Sequence, residues 1–177
     1  MCGRFTQTGS AQSLLNRFLV KIFSEQTEAK VRPRYNIAPS QEVPVVLRDP
    51  ESHERRLQEM RWGLIPSWSK TCDQRFNTIN ARAEGLKGSP VYKAPFRHRR
   101  CLVPASGFYE WKAGTQPKQP YYITAAGEEE WMALAGLWDE WGGLDGEWLW
   151  SFSIVTVAAD DWMRPVHHRM PLILDEG

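Results

Sequence analysis

The twelve prolines and thirteen glycines of this 177-residue chain are spread along its length and leave room only for short elements joined by turns. Proline fixes φ and lacks an N–H, and glycine costs backbone entropy inside any regular element. One segment escapes this punctuation. Between Ser13 and Phe23, Leu14, Phe18 and Ile22 share a stripe with Leu15, Leu19 and Phe23 beside it, and Arg17 and Lys21 lie off it. That spacing predicts an amphipathic helix. Val31 to Gln41 is read as irregular, because Pro33 and Pro39 forbid a continuous helix.

The remainder reads mainly as β-structure. Val45 to Leu47 is a short strand entered just after Pro44, where a strand tolerates proline best. Leu57 to Trp62 is another, with Met60 and Trp62 at period two. Gly63 to Lys70 is a loop and Ala81 to Leu86 a short helical turn. Further strands are expected at Arg100 to Val103, Gly107 to Lys112, Tyr121 to Thr124, Trp131 to Leu137, Leu149 to Val157 and Pro171 to Leu174. Trp141 to Gly146 is a Gly-rich hairpin connection, and Asp160 to Arg164 begins a short helix. No repeat or long linker divides the chain. The expectation is one α+β domain over residues 1–177, strand-rich and barrel-like, with antiparallel or mixed sheets and a few short helices.

Charge is near balance at +1, but its distribution is not even. Gly85 to Arg100 holds five Lys/Arg and no acid, while Glu128 to Trp148 holds seven acids and no base. A basic face and an acidic face are expected, and such fields steer charged ligands. Three irregularly spaced cysteines, Cys2, Cys72 and Cys101, argue against a disulfide framework, and no metal-ligand spacing occurs, so neither metal nor cofactor is expected. No run of about eighteen apolar residues suggests a membrane span. The first residues lack a signal-peptide pattern, which makes cytoplasm the default location.

The chemistry begins at Met1-Cys2. Methionine is removed when the next side chain is small, and the product here is a chain starting with a 1,2-aminothiol. An α-amine has a pKa near 7.7–8.0 against about 10.4 for lysine, so at neutral pH roughly a tenth of it is the nucleophilic free base. Such an amine forms an imine with an aldehyde, and the adjacent thiol then closes a five-membered thiazolidine. On its own, a cysteine at position 2 is also the ordinary outcome of a small residue after the initiator.

Six motifs accompany it: MCGRF at the start, RYNIAPSQ at Arg34, RWGLIPSW at Arg61, NTINARAE at Asn77, PFRHRRCLVPASGFYEWK at Pro95 and VHHRMPLIL at Val166. In this order they resemble the SRAP family, the SOS response-associated peptidases, from Cys2 to Leu174. The resemblance implies a DNA-damage protein that crosslinks abasic sites in single-stranded DNA through the N-terminal cysteine, with lyase-type activity and autoprocessing. It assigns Cys2 as nucleophile, Asn80 as holder of the sugar oxygen and ring-opened aldehyde, Glu110 as acid/base beside the amine, and His167 as the group that protonates the deoxyribose oxygen. His168 falls where the family varies and receives no role. Family members continue past RMPLIL, so the resemblance also implies a truncated C-terminus.

Residue chemistry fits these roles independently. Opening a hemiacetal needs proton transfer, which histidine performs near neutral pH. A carboxylate takes a proton from the amine and returns it to departing water, and an amide orients oxygens without charge. The alternatives are a solvent-facing strand glutamate, a satisfied turn histidine and a capping asparagine.

For DNA, Arg4, Arg82 and Arg169 each sit within two residues of a proposed catalytic residue, and Trp68 is a stacking or wedge candidate, as the resemblance also implies. Asn36 is a weaker DNA-binding candidate that would brace the Cys2 loop. The expected partner is single-stranded DNA carrying abasic sites, with single/double-strand junctions as a further context, met by a nucleoid-associated monomer. Two other readings stay open. One is a thiol peptidase using Cys2, His167 and Asn80; the other is a non-covalent reader of single-stranded or modified DNA.

Overall fold

A computed structural model describes residues 2–72, 78–112, 114, 117–127, 130–143 and 146–175. In chain order its strands are β1 Arg4–Gln7, β2 Arg34–Ile37, β3 Glu42–Arg48, β4 Arg55–Trp62, β5 Asn80–Arg82, β6 Arg100–Ala105 and β7 Gly107–Trp111. They continue with β8 Pro120–Thr124, β9 Met132–Gly142, β10 Trp148–Ala158, β11 Arg169–Pro171 and β12 Ile173–Leu174. The helices are α1 Ala11–Arg17, α2 Glu25–Glu28 and α3 Lys93–His98, with a 3-10 turn at Ala83–Gly85.

Pairing β10 to β4, β4 to β3, β3 to β6, β6 to β9 and β9 back to β10 closes a five-stranded barrel. Closure leaves these strands no free edge, which suits their apolar sequences. The β4–β10 seam is parallel and the other four are antiparallel. A four-stranded antiparallel sheet, ordered β2-β1-β7-β8, lies against the barrel. Phe5 from this sheet meets Trp62 of the barrel edge-on at 5.0 Å, and Trp62 stacks on Phe152 at 6.5 Å. All three are fully buried, and each is worth about 1.5–3 kcal/mol relative to exposure. The α+β, strand-rich, barrel-like single domain expected from sequence is the observed architecture.

A second tie between the layers solves a backbone problem. The β3–β6 ladder pairs Val46 with Leu102 and Leu47 with Cys101, and continuing that register sets Pro44 opposite Pro104. Neither proline has an N–H, so the ladder cannot continue there. The buried amide of Gln7, reaching in from β1, donates to Pro44 O at 3.0 Å and Pro104 O at 2.9 Å. Gln7→Leu is therefore expected to cost about 2 kcal/mol, since two buried carbonyls lose their donors. A lower urea midpoint at unchanged slope is the measurement; no shift would contradict this role.

Several expectations change. The helix predicted over Ser13 to Phe23 is α1 Ala11–Arg17, capped at its start by the Ser10 hydroxyl. It stops because Leu19 turns into the left-handed region at φ 49°, with Leu19 N–H on Asn16 O and Val20 N–H on Leu15 O. Leu14, Leu15, Phe18 and Val20 are still buried together, while Ile22 continues as an extended bridge to Arg56. The segment read as irregular contains β2, because β1 offers it a partner edge. Pro44 lies inside β3, tolerated through Gln7. The final strand is split into β11 and β12 at Leu172, which donates to Val155 O and accepts from Ala135 N–H, filling the gap where β9 and β10 part. Residues 161–166 form turns rather than a helix. The helices α2 and α3 have no counterpart in the sequence reading. Asn77 of the NTINARAE motif and residues 144–145 of the hairpin connection lie outside the described residues.

Candidate active site

Cys2 precedes β1 and is fully buried at 0% exposure. β1 pairs with β7 by setting Arg4 opposite Tyr109, which brings the start of the chain alongside Glu110. In β7 the inward positions are Phe108 and Glu110 and the outward ones Tyr109 and Trp111. A carboxylate at 2% exposure thus stands where the pattern calls for an apolar residue. Such burial is costly and is a mark of function. Burial and, after it, the Glu110 charge push the Cys2 thiol up to about 12, against smaller lowering effects from a backbone hydrogen bond of Arg4 and the amino-terminal charge.

Asn80 enters from β5. Its side-chain N–H donates to Cys2 O at 2.8 Å, which fixes the amide's orientation. Its Oδ1 is buried with no hydrogen-bond partner among the described residues, so an open acceptor stands beside Cys2. The parallel β5–β10 pairing sets Asn80 against Ile154 and Arg82 against Thr156, and β11 joins the other edge of β10 with Pro171 opposite Thr156. The distant INAR and HHRMP motifs meet across one strand in this way.

His167 follows the 161–166 turns. The Arg169 backbone N–H lies 3.0 Å from His167 Nδ1. Arg169 O lies 3.0 Å from the same nitrogen, so the Arg169 backbone holds Nδ1 whether that nitrogen accepts or donates. His168 stacks on His167 with ring centroids 4.4 Å apart. His168 is held below the ordinary imidazole range, first by the charge of His167, then by desolvation, the amino-terminal charge, Arg169 and Arg82. Asn80 and Glu110 thus both act on Cys2, and His167 lies against His168, whose ring feels the amino-terminal charge.

A family model, described as SOS response associated peptidase (SRAP), matches residues 1–177. The chain belongs to the SRAP family. It is 36% identical over 177 residues to the abasic site processing protein YoqW of Bacillus subtilis (strain 168), spanning 99% of this chain and 77% of that protein. It is 38% identical over 176 residues to HMCES of Gallus gallus, also named an abasic site processing protein, and spans 52% of it. A crystal structure of a protein from Bacteroides thetaiotaomicron superposes with TM-score 0.88 at 27% identity, covering 99% of this chain and 78% of that one.

Around this SRAP centre the predicted DNA-binding residues fare differently. Arg82 is exposed at the end of β5. Arg4 is half-buried and donates to Gly3 O at 2.9 Å. Trp68 is 59% exposed on a loop pinned by Ile65 N–H to the Ser151 hydroxyl at 2.8 Å and Ser67 N–H to Asp139 at 3.0 Å. Asn36 is exposed on edge strand β2. The Arg169 guanidinium grips Glu84 through both oxygens at 2.7 and 3.0 Å and donates to Thr156 O at 2.6 Å. The Arg169 bond draws the Glu84 carboxyl down to about 2. A depressed carboxyl contributes above its free value and loses that contribution as pH falls through the bound one, so the clamp holds from about pH 5 upward and opens toward pH 2.

The uniform charge faces are corrected. Asp139 of the acidic run is buried, paired with Arg99 of the basic run. The sequence reading missed Glu84, Thr156 and His168. Only the His-His pair carried a visible signal.

Cys72 is exposed, whereas Cys2 and Cys101 are buried, and burial raises both buried thiols. With Met1 retained, iodoacetamide at pH 8 is expected to label one thiol quickly and the other two only after unfolding. Peptide mapping checks this, and fast labelling of Cys2 would contradict the geometry.

Proposed function

We propose that this SRAP protein captures abasic sites in single-stranded DNA as a thiazolidine on Cys2, once Met1 has been removed. The observation that carries the reading is the Asn80 amide on Cys2 O at 2.8 Å, beside the buried Glu110. Together they hold an N-terminal aminothiol next to a base and an open acceptor. The naming of YoqW and HMCES as abasic site processing proteins supports the same substrate.

The abasic sugar is mostly a closed hemiacetal. Protonated His167, its Nδ1–H on Arg169 O, gives its Nε2 proton to the ring oxygen and takes back the proton that leaves the C1′ hydroxyl, so the ring opens with no net proton change, while Asn80 Oδ1 accepts from the sugar hydroxyl. Glu110 takes a proton from the Cys2 ammonium, and the free amine attacks C1′. The resulting carbinolamine loses water, protonated by Glu110, and leaves an iminium. Cys2 Sγ then adds to C1′ while its proton returns to Glu110, closing the ring with one water released overall. The open iminium also acidifies C2′, the route by which lyase-type strand cleavage competes.

The peptidase reading needs a thiolate at neutral pH. Burial and Glu110 both oppose one at Cys2, which favours amine-first chemistry. The test is to incubate the Met1-processed protein with single-stranded DNA bearing one abasic site and to measure intact mass after heating. A heat-stable adduct short by one water is expected, and acetylating the amine should abolish it. An adduct that survives acetylation, or binding that salt reverses completely with no adduct, would overturn the proposal.

A further inference from the structure

The outer face of the β2-β1-β7-β8 sheet carries two tyrosines whose hydroxyls reach to the next strands. Tyr122, on β8, leans across β7, and its hydroxyl bonds the Thr6 hydroxyl on β1 at 2.8 Å. A Cβ on Gly107 would stand 2.5 Å from the Tyr122 ring, so that ring lies flat on bare backbone. Tyr122 is 47% exposed. Tyr109, on β7, leans the same way and donates its hydroxyl to Tyr35 O on β2 at 3.3 Å. The two rings are 4.8 Å apart and tilted by 34°. Tyr35 itself is 67% exposed.

These rings form a row with Arg4, because Arg4 pairs with Tyr109 and Tyr109 with Tyr122. The row starts two residues from Cys2. Arg4 lies on this face, Arg34 is turned to Glu42 O and Gln41, and the one acid of the four strands, Glu110, is buried. Residues 111–127 add Lys112 and Lys118 and no acid. The face therefore offers anchored aromatic surfaces in a field that favours a polyanion. Rings held by their hydroxyls lose little freedom when something stacks on them, and nucleobases stack on such surfaces whatever their sequence.

We propose that this sheet face, centred on Tyr122, Tyr109 and Tyr35, is a stacking platform for the unpaired bases on one side of the lesion, with Arg4 on the phosphate between platform and Cys2. This rests on the single-stranded DNA reading above. It adds a base-binding surface separate from Trp68.

The test uses abasic single strands of about fifteen nucleotides in which the bases of one flank are replaced by tetrahydrofuran spacers, leaving the phosphates in place. Fluorescence anisotropy of the Cys2→Ala protein gives reversible affinity. Removing bases from one particular flank is expected to weaken binding about tenfold, and Tyr122→Leu, which still covers Gly107, should erase the sensitivity on that flank. Tyr35→Ala, at an exposed side chain, keeps the test open if Tyr122→Leu fails to fold, and should reduce the same sensitivity about threefold. Equal affinity for base-bearing and spacer flanks, or full sensitivity in both tyrosine variants, overturns the platform. Adduct formation by the wild type on the spacer-flanked strand reports separately on the Cys2 chemistry, so its failure would count against the function and not against the platform.

Discussion

Cys2→Ala, processed to a free N-terminus, is expected to give no heat-stable adduct with abasic DNA while still yielding a species that borohydride traps. Alanine is small enough for Met1 to be removed, and its α-amine keeps the same pKa range of about 7.7–8.0. The imine can therefore form, but no sulfur is present to close the ring. The wild type should show the reverse, a heat-stable adduct that borohydride does not increase. Denaturing gels with and without borohydride separate the two behaviours. A stable adduct in Cys2→Ala would move the nucleophile to another residue, and loss of both species would mean that the thiol serves the first step as well.

The second large effect belongs to Glu110. Glu110→Gln keeps the shape of a buried side chain but cannot exchange protons. Adduct formation should slow about 10²–10³-fold, as for loss of a general acid/base. The thiol should respond in the opposite sense, because the Glu110 charge is one of the influences that raise it. In the variant, thiolate absorbance should grow in at lower pH while crosslinking falls. A merely structural glutamate would not produce these opposite shifts. The sign carries over to stability. A thiol raised from 9.0 to about 12 in the fold favours the folded state below pH 9, and that contribution disappears as pH climbs through 12. Alkaline unfolding of wild type should accordingly begin above pH 9, and the onset should move to higher pH in Glu110→Gln, whose smaller thiol shift leaves less stability to lose.

How far the sequence could be read depended on the range of the forces involved. Alternation at Met60 and Trp62 located β4, since side-chain direction in a strand is set locally. The Ser13 to Phe23 stripe identified a buried face correctly but overran the helix, because Leu19 adopts its left-handed φ only where Ile22 finds the edge of β4. Pro44 looked like a strand entrance, and only Gln7, contributed by another sheet, makes it acceptable inside β3. Its neighbours in sequence mark Arg169 as a phosphate ligand, and only the fold brings Glu84, 85 residues away, onto its guanidinium.

The sequence by itself determined most of the strands, the Met1-Cys2 start and the motifs that carry the family, because these follow from side-chain chemistry and short-range periodicity. Only the tertiary structure decided that Glu110 faces inward, that Asn80 holds the Cys2 carbonyl and that Tyr109 and Tyr122 come into line with Arg4. Each of those facts depends on strand register between segments far apart in the chain, and register is set by packing across the whole core rather than by neighbouring residues.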